Sequence, residues 1–367
     1  MSRIVFATDL HLTEGQGGLG PFTTDLQEIS ALSPDLLVMG GDICLWETGA
    51  GDRLQQLLGE ASFPTVCVMG NHDTDRLPGD REPTDHDSPA SAFDHDFSTR
   101  FGPRNRYVDL GDAHVVVLNT CRMDPGQEGW RNVRAEVGED DLAWLDATLA
   151  GLTDDRPLLL FVHIPLATSY PERRSADQAT TDVWRVTNAT AVFERLHAWT
   201  SPVIVCQGHL HENEHLHVED LHLISVGSVC GRWWQQGDSS RCTDNSPRGW
   251  LVLDVTEHAV ELDYHAARSA DWHGEIVGRA GDADQQLNLF FADPTQIVEF
   301  RLADGTWQAL PPPAPVAVDD TFFSVHHWAL PANFIGDSVE VRTRMRERRW
   351  DMGFIRRLEP PEGAEPK

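Results

Sequence analysis

Carboxylate, amide and imidazole side chains directly follow five short apolar segments of this 367-residue chain. These residues, in chain order, are Asp9, His11, Asp42, Asn71, His163, His209 and His211. Gathered without a cation, such groups would repel one another or lack hydrogen-bond partners. A divalent metal resolves that conflict, and this ligand set suits Mn, Fe, Zn or Co rather than a thiolate-rich structural zinc site. The residue types therefore predict a metal centre.

The apolar segments that precede these side chains are predicted to be buried strands. They cover residues 4–7, 36–39, 66–69, 158–162 and 203–206, and residues 115–118 form a similar segment. Amphipathic segments between them predict helices, and this alternation is typical of an α/β domain. In such domains, ligands bind at the carboxyl ends of the strands. We therefore expect the five groups of side chains to converge at one edge.

Helical patterns stop in the last third of the chain. Strand-like segments at 221–226, 250–255 and 260–265 are expected to complete the α/β domain, and shorter ones follow. Turn residues at this spacing favour a small β-sandwich. The sequence thus predicts an α/β domain with the metal centre over 1–268 and a C-terminal accessory β-domain over 269–367.

Three long polar insertions follow strand ends, at residues 74–104, 122–138 and 167–188. Loops at this edge of an α/β domain often carry binding residues, so the insertions are expected to form the walls of a pocket. Plain surface decoration is the alternative for each.

Composition excludes some classes of function. A net charge of −29 with one lysine, Lys367, disfavours nucleic-acid binding because the surface repels polyanions. Long apolar runs are missing, which argues against a membrane span, and an N-terminus that begins as a strand favours the cytoplasm over export. The six cysteines form no C-x-x-C pair, and buried thiols are favoured over a disulfide or a nucleophile.

Taken in order, the motifs resemble the signature of calcineurin-like metallophosphoesterases. That signature reads D-x-H, G-D, G-N-H-[DE], H and G-H-x-H, and every part is present between residues 9 and 211. The resemblance covers roughly residues 3–230. It implies a four-layer sandwich in which two mixed β-sheets are flanked by helices.

The resemblance also implies a role for each motif residue. Asp9, His11 and His211 would hold one divalent metal ion, Asn71, His163 and His209 a second, and Asp42 would bridge the two. A metal-bridging hydroxide would then hydrolyse a phosphoester. His72 would donate a hydrogen bond to the phosphate or protonate the leaving oxygen, and Asp73 would orient His72. The alternative for Asp73 is a turn-capping residue.

Residues outside the motifs are weaker candidates for substrate contacts. Arg232 and Trp233 follow a predicted core strand and could stack on a substrate, or else form an aromatic plug between the domains. Tyr170 and Arg173 lie soon after His163, with a solvated loop as the alternative. The histidines without a motif, including His215, His217 and His222, are interpreted as structural or surface residues; His215 and His217 could alternatively neighbour the metal ligands.

Single positions separate the branches of the family. Leu45 replaces the tyrosine typical of purple acid phosphatases, and His72 replaces the arginine typical of lipid A-pathway hydrolases. The chain most resembles bacterial class III cyclic-nucleotide phosphodiesterases, with an extra C-terminal β-domain. The expected substrate is a small phosphorylated molecule, either a diester or a monoester. The alternative is a catalytically silent metal-binding scaffold that binds partners through its C-terminal β-domain.

Overall fold

The computed structural model describes most of the chain. The described residues are 1–12, 19–43, 50–74, 93–123, 133–152, 156–174, 178–232, 237–257, 259–278, 285–302, 305–332, 334, 339–345 and 354–358. Trp233 and most of the first predicted insertion, residues 75–92, lie outside these ranges.

The first of two mixed sheets contains the N-terminus. Its strands are β1 (Ser2–Ala7), β2 (Leu36–Met39), β3 (Thr65–Cys67), β12 (Gly249–Val255) and β13 (Val260–Ala266), in the order β13-β12-β1-β2-β3. β1, β2 and β3 run parallel to one another, whereas β12 and β13 are antiparallel additions at one side.

The second mixed sheet lies later in the chain. Its strands are β4 (Arg106–Asp109), β5 (His114–Val117), β8 (Leu158–Val162), β9 (Val203–Gln207), β10 (Glu214–Val218) and β11 (Leu221–Ser225), in the order β10-β11-β9-β8-β5-β4. The central strands are parallel, and the two outermost strands are antiparallel to their neighbours. A separate hairpin joins β6 (Cys121–Met123) to β7 (Val133–Ala135).

Helices connect the strands of both sheets. They are α1 (Leu19–Ala31), α2 (Ala50–Gly59), α3 (His95–Phe101), α4 (Glu139–Gly151), α5 (Tyr170–Arg173), α6 (Gln178–Trp184) and α7 (Ala189–Leu196), and a 3-10 turn covers Asn71–Asp73. Parallel strands need such crossovers, which explains the alternation of patterns in the sequence.

Alternating side chains of each strand contribute to two different cores. On β1, Ile4 and Phe6 belong to the core between the sheets, whereas Val5 and Ala7 pack in the core shared with the helices. Phe6 meets Phe161 of the second sheet with ring centroids 5.3 Å apart. This arrangement is the predicted four-layer α/β sandwich.

The C-terminal part is rich in strands and has its own hydrophobic cluster. Its strands are β14 (Gly274–Val277), β15 (Gln286–Leu289), β16 (Gln296–Arg301), β17 (Gln308–Ala309), β18 (Val316–Ala317), β19 (Phe323–Ser324), β20 (His327–Ala329), β21 (Val339–Met345) and β22 (Phe354–Leu358). They form sheets in the orders β14-β15-β20, β17-β16-β21-β22 and β18-β19. The predicted additional β-domain is confirmed, and its boundary at residue 268 stays a prediction.

Two expectations from composition can be compared with the described residues. Cys67, Cys121, Cys206, Cys230 and Cys242 are free and buried, as expected for reduced thiols. Within the described ranges, no helix combines the length and apolar character that crossing a membrane requires.

Candidate metal centre

Left-handed backbone conformations place most of the predicted ligands. Five of the seven ligands have positive φ angles: Asp9 (56°), His11 (46°), Asp42 (49°), His209 (76°) and His211 (55°). Such conformations are uncommon for residues other than glycine, and each costs of the order of 1–3 kcal/mol. Their concentration just beyond the strand ends shows that the backbone is bent to aim these side chains at one point.

Two glycines allow the loops to approach each other. Gly41 has φ +96°, and a Cβ there would lie 2.5 Å from Nδ1 of His163. A Cβ on Gly70 would collide with the backbone nitrogen and carboxylate of Asp42. A larger residue at Gly41 would therefore push the second and fourth motifs apart, and one at Gly70 would push the second and third apart.

The first group of ligands gathers Asp9, His11 and His211. One ligand atom from each lies within 4.8 Å of the others, and all three residues are buried. The Nε2 atoms of His11 and His211 are 3.2 Å apart. Oδ1 of Asp9 lies 3.3 Å from Nε2 of His211 and, among the described residues, has no hydrogen-bond partner, although it is fully buried. A buried carboxylate oxygen without a donor is costly, and a cation at this point would satisfy it.

The second group gathers Asp42, His163 and His209 in the same way, with ligand atoms within 4.8 Å of one another. Asn71 joins them, because its Oδ1 lies 3.2 Å from Nε2 of His163. Oδ2 of Asp42 lies 3.2 Å from Nε2 of His163 and 3.6 Å from Nε2 of His11. Asp42 therefore lies between the two groups, where a bridging ligand is needed.

Backbone carbonyls determine which nitrogen of His163, His209 and His211 faces the centre. Nδ1 of His163 lies 2.9 Å from the carbonyl of Gly40, and Nδ1 of His211 lies 2.7 Å from the carbonyl of Gly231. Nε2 of His209 lies 2.9 Å from the carbonyl of Val183. A carbonyl only accepts, so these nitrogens donate, and the other nitrogen of each neutral ring presents a lone pair to the centre. This is the usual orientation of metal-binding histidines.

The pKa values of Asp9, Asp42 and His163 are shifted because carboxylates and imidazoles are buried close together. Burial alone would favour neutral groups, yet nearby imidazoles hold the pKa of the Asp9 and Asp42 carboxyls below the ordinary value. Burial likewise opposes charge on His163, but the carboxylates of Asp42 and Asp9 raise its pKa to about 9. Without a metal, protons are thus drawn to the place where lone pairs and carboxylates meet. Divalent ions compete for that position, so the residues fit a metal centre.

His72 lies at the edge of this centre and is only partly buried. Its backbone N–H donates to Oδ1 of Asp42 over 2.8 Å, and its ring centroid is 5.2 Å from that of His11. The bonds shown for Asp73 are different from those expected. Its carboxylate accepts from the backbone N–H groups of Gly70 and Ile43, at 2.8 and 2.9 Å. These bonds fit the turn-capping alternative for Asp73, and its role in orienting the His72 ring stays a prediction.

A pocket of about 300 Å³ opens above the two groups. Its described walls are His11, Asp42, Asn71, His72, Val133, Ile164, Val183, Trp184, His209 and His211. Val133 belongs to the second predicted insertion, and Val183 and Trp184 belong to the third. The prediction that insertions wall the pocket is therefore confirmed for these two.

Trp184 is a pocket residue that the sequence analysis missed. Its ring packs 5.3 Å from His209 and 5.1 Å from Tyr170, between centroids. Trp184 lies in a long insertion and belongs to no motif. The one available signal was that its packing partner Tyr170 lies close to His163 in sequence. Tyr170 itself is buried behind Trp184, and its hydroxyl accepts from Arg174.

Two other predicted substrate contacts, Arg173 and Arg232, have partners outside the described pocket. The guanidinium of Arg173 is buried and pairs with Glu212, and it also donates to the carbonyl of Phe323 over 2.8 Å. Arg232 pairs with Asp319 at 2.8 Å, and its guanidinium lies 4.6 Å from the ring centroid of Phe322. Both arginines thus contact the C-terminal part, and neither is among the described pocket residues. Their charges are already neutralised by carboxylates.

The fold and the paired ligand groups define the class of the protein as a metal-dependent phosphoesterase. The family model for calcineurin-like phosphoesterases matches residues 2–213, and the model for the C-terminal domain of these enzymes matches residues 224–349. The chain therefore belongs to the calcineurin-like phosphoesterase family.

Several known proteins are similar to this chain. A 3′,5′-cyclic-nucleotide phosphodiesterase from Nostoc sp. is 24% identical over 258 residues, which cover 68% of this chain and 85% of that protein. A probable cyclic nucleotide phosphodiesterase from Rhodopseudomonas palustris is 29% identical over 57% of this chain and 71% of its own length. Among solved structures, a dimetal phosphatase from Danio rerio has a TM-score of 0.48 and 15% identity, covering 72% of this chain and 95% of that chain.

Replacing Gly41 tests the packing of the centre. We expect Gly41→Ala to destabilise the protein by about 2 kcal/mol or more, because it combines a left-handed backbone with a collision against His163. Denaturant unfolding measures the loss, and elemental analysis should show reduced metal content. Gly59→Ala is the matched control, since a Cβ there meets nothing within 4 Å. Equal stability of the two variants would contradict this account.

Proposed function

We propose that the protein hydrolyses a phosphoester bond of a small substrate, with two divalent metal ions held at the candidate centre. Asp9, His11 and His211 would hold one ion, and Asn71, His163 and His209 would hold the other. Asp42 would bridge them. The carrying observation is the position of Asp42, whose Oδ2 lies within 3.6 Å of an imidazole nitrogen from each group.

The chemistry divides between the ions and the side chains. A pair of divalent ions supplies an activated water and neutralises the charge of the phosphate. Backbone carbonyls orient His163, His209 and His211, so each of these three imidazoles keeps one lone pair directed at the centre. Thr8 adds a hydrogen bond of 2.7 Å to Oδ2 of Asp9, which holds that carboxylate in place.

His72 is the proposed catalytic residue that does not bind metal. It lines the pocket, and its backbone N–H is fixed to Asp42, so its ring is positioned beside the centre without replacing a ligand. A protonated imidazole there would donate to a phosphoryl oxygen or give its proton to the leaving oxygen. Proton transfer of this kind typically contributes about 10²–10⁴-fold in rate.

We further propose that the substrate is a phosphodiester. Both curated relatives described above are named as cyclic-nucleotide phosphodiesterases. The pocket adds support, since the aliphatic side chains of Val133, Ile164 and Val183 and the ring of Trp184 form an apolar wall beside the metal centre. Such a wall suits a phosphoester whose second substituent is flat and weakly hydrated, as a nucleobase is.

Two variants distinguish metal binding from catalysis. With Mn²⁺ added, the wild type should hydrolyse bis(4-nitrophenyl) phosphate, and chelation should abolish that activity. Asp42→Ala should lose both activity and bound metal, whereas His72→Ala should keep its metal while turnover falls by about 10²-fold or more. His197→Ala, altered at a surface histidine paired with Asp220, is the control.

Elemental analysis and turnover of the same preparations decide between the roles. Loss of both metals in His72→Ala would make His72 a ligand and refute its proposed role. A folded wild type that binds two metals but hydrolyses neither a nitrophenyl diester nor a monoester would instead favour the silent scaffold.

Replacing Trp184 tests the apolar wall. We expect Trp184→Ala to raise the KM for a cyclic nucleotide about three- to tenfold with little change in kcat, because an aromatic stack contributes about 0.5–1.5 kcal/mol to binding. Steady-state kinetics with a cyclic nucleotide and with a small nitrophenyl diester measure this. Trp144→Ala on α4, outside the described pocket walls, should leave both constants unchanged. An unchanged KM in Trp184→Ala would remove Trp184 from substrate binding.

A further inference from the structure

Three histidines and one aspartate form a second buried cluster, where the second sheet meets the C-terminal part. His215 and His217 lie on β10, His222 lies on β11, and Asp293 lies between β15 and β16. His215, His222 and Asp293 are at most 6% exposed. His215, His217 and His222 were expected to be structural or surface residues, with His215 and His217 alternatively beside the metal ligands; they lie together with Asp293 instead.

The strand register brings the three imidazoles to one face. His217 is the direct cross-strand partner of His222, and His215 precedes His217 by two residues on β10. Adjacent positions on this face carry Ile224 and Ile204, which belong to the core between the sheets. Imidazoles therefore occupy positions that the rest of the sheet fills with aliphatic side chains. Burying them is costly unless they are bonded or bind a cation.

Hydrogen bonds fix which atoms of the cluster face inward. Nε2 of His215 lies 3.2 Å from the carbonyl of Phe291, which can only accept, so this nitrogen donates. Nδ1 of the neutral ring then presents a lone pair, and it lies 3.0 Å from Nε2 of His222. The carbonyl thus orients His215 as carbonyls orient the histidines of the catalytic centre.

Asp293 completes the cluster from the C-terminal part. Its Oδ2 lies 2.7 Å from Nε2 of His217, and its Oδ1 accepts from the backbone N–H and the hydroxyl of Thr295, both at 2.8 Å. One ligand atom each from His215, His222 and Asp293 lies within 4.8 Å of the others. The bonds to His217 and Thr295 thus hold the Asp293 carboxylate close to one ring nitrogen of His215 and one of His222.

We propose that His215, His222 and Asp293 bind a further divalent transition metal, separate from the catalytic pair. Two imidazoles and one carboxylate suit Zn²⁺ and its neighbours in the first transition row. His217 is the positioning residue, because it contacts the carboxylate of Asp293. An ion here joins the β10–β11 hairpin to the C-terminal part, so its role is structural. The proposal does not depend on the phosphoesterase reaction.

Metal counting on the full chain tests the site. After loading with Zn²⁺ and removal of excess metal, the wild type should retain three ions per chain. Asp293→Asn and His222→Gln should each lose one equivalent and keep phosphoesterase activity. His114→Gln is the matched control, since His114 is a buried histidine that contacts the Tyr107 hydroxyl. It should retain three ions. Equal metal content in the wild type and a folded Asp293→Asn variant would overturn the proposal.

A stability measurement separates this site from the catalytic centre. In an Asp42→Ala background, where the catalytic pair is disrupted, added Zn²⁺ should still raise Tm, because a metal that binds only the folded state stabilises it. Adding Asp293→Asn should abolish that shift. A Zn²⁺-dependent Tm shift that survives Asp293→Asn would show that the cluster is only a hydrogen-bonded network. Inactivity of the wild type would refute the proposed function but leave this result unaffected.

Discussion

The crowding of lone pairs and carboxylates around Asp42 is the constraint on which the rest of the structure depends. Oδ1 of Asn71 and Oδ2 of Asp42 each lie 3.2 Å from Nε2 of His163, and all three atoms are acceptors when the ring is neutral. Oδ1 of Asp9 has no hydrogen-bond partner in the part of the chain that the structure describes. Without a metal ion, these acceptors need bound protons to be satisfied, as the raised pKa of His163 indicates. A bound metal ion would be a shared partner for all of these acceptor atoms, which explains why they lie so close together.

The surrounding backbone is shaped to maintain this crowding. Five ligands adopt left-handed conformations, and Gly41 and Gly70 remove side chains where two motifs touch. Asp73 contributes by binding the backbone of both loops, at Gly70 and Ile43. The strain is local, and the two sheets beneath it are regular and fully buried along their central strands. A rigid sandwich therefore supports a strained edge.

The sequence predicted the parts of this structure that depend on local pattern. Strands such as 36–39 and 158–162 were predicted at their observed bounds, because parallel strands buried on both faces leave continuous apolar segments. The gathering of Asp9, Asp42 and His163 followed from the rule that strand ends share an edge.

Contacts between distant segments were not predictable in this way. Arg173 lies close to His163 in sequence, but its guanidinium binds Glu212 and the carbonyl of Phe323 instead of lining the described pocket. Trp184 reaches the pocket from within an insertion whose path no periodic pattern describes. The His215 cluster needs Asp293, which is 76 residues from His217 in sequence. Each case depends on a tertiary partner, and a single sequence does not encode such pairing in its spacing.

The position of Asp42 between two metal ions is the central claim, and anomalous diffraction from Mn²⁺-loaded crystals tests it most directly. We expect two anomalous peaks on either side of the Asp42 carboxylate, separated by about 3.5–4 Å as in other two-metal sites. One peak should lie among Asp9, His11 and His211, and the other among Asn71, His163 and His209. A single peak, or two peaks that do not share Asp42, would contradict the account.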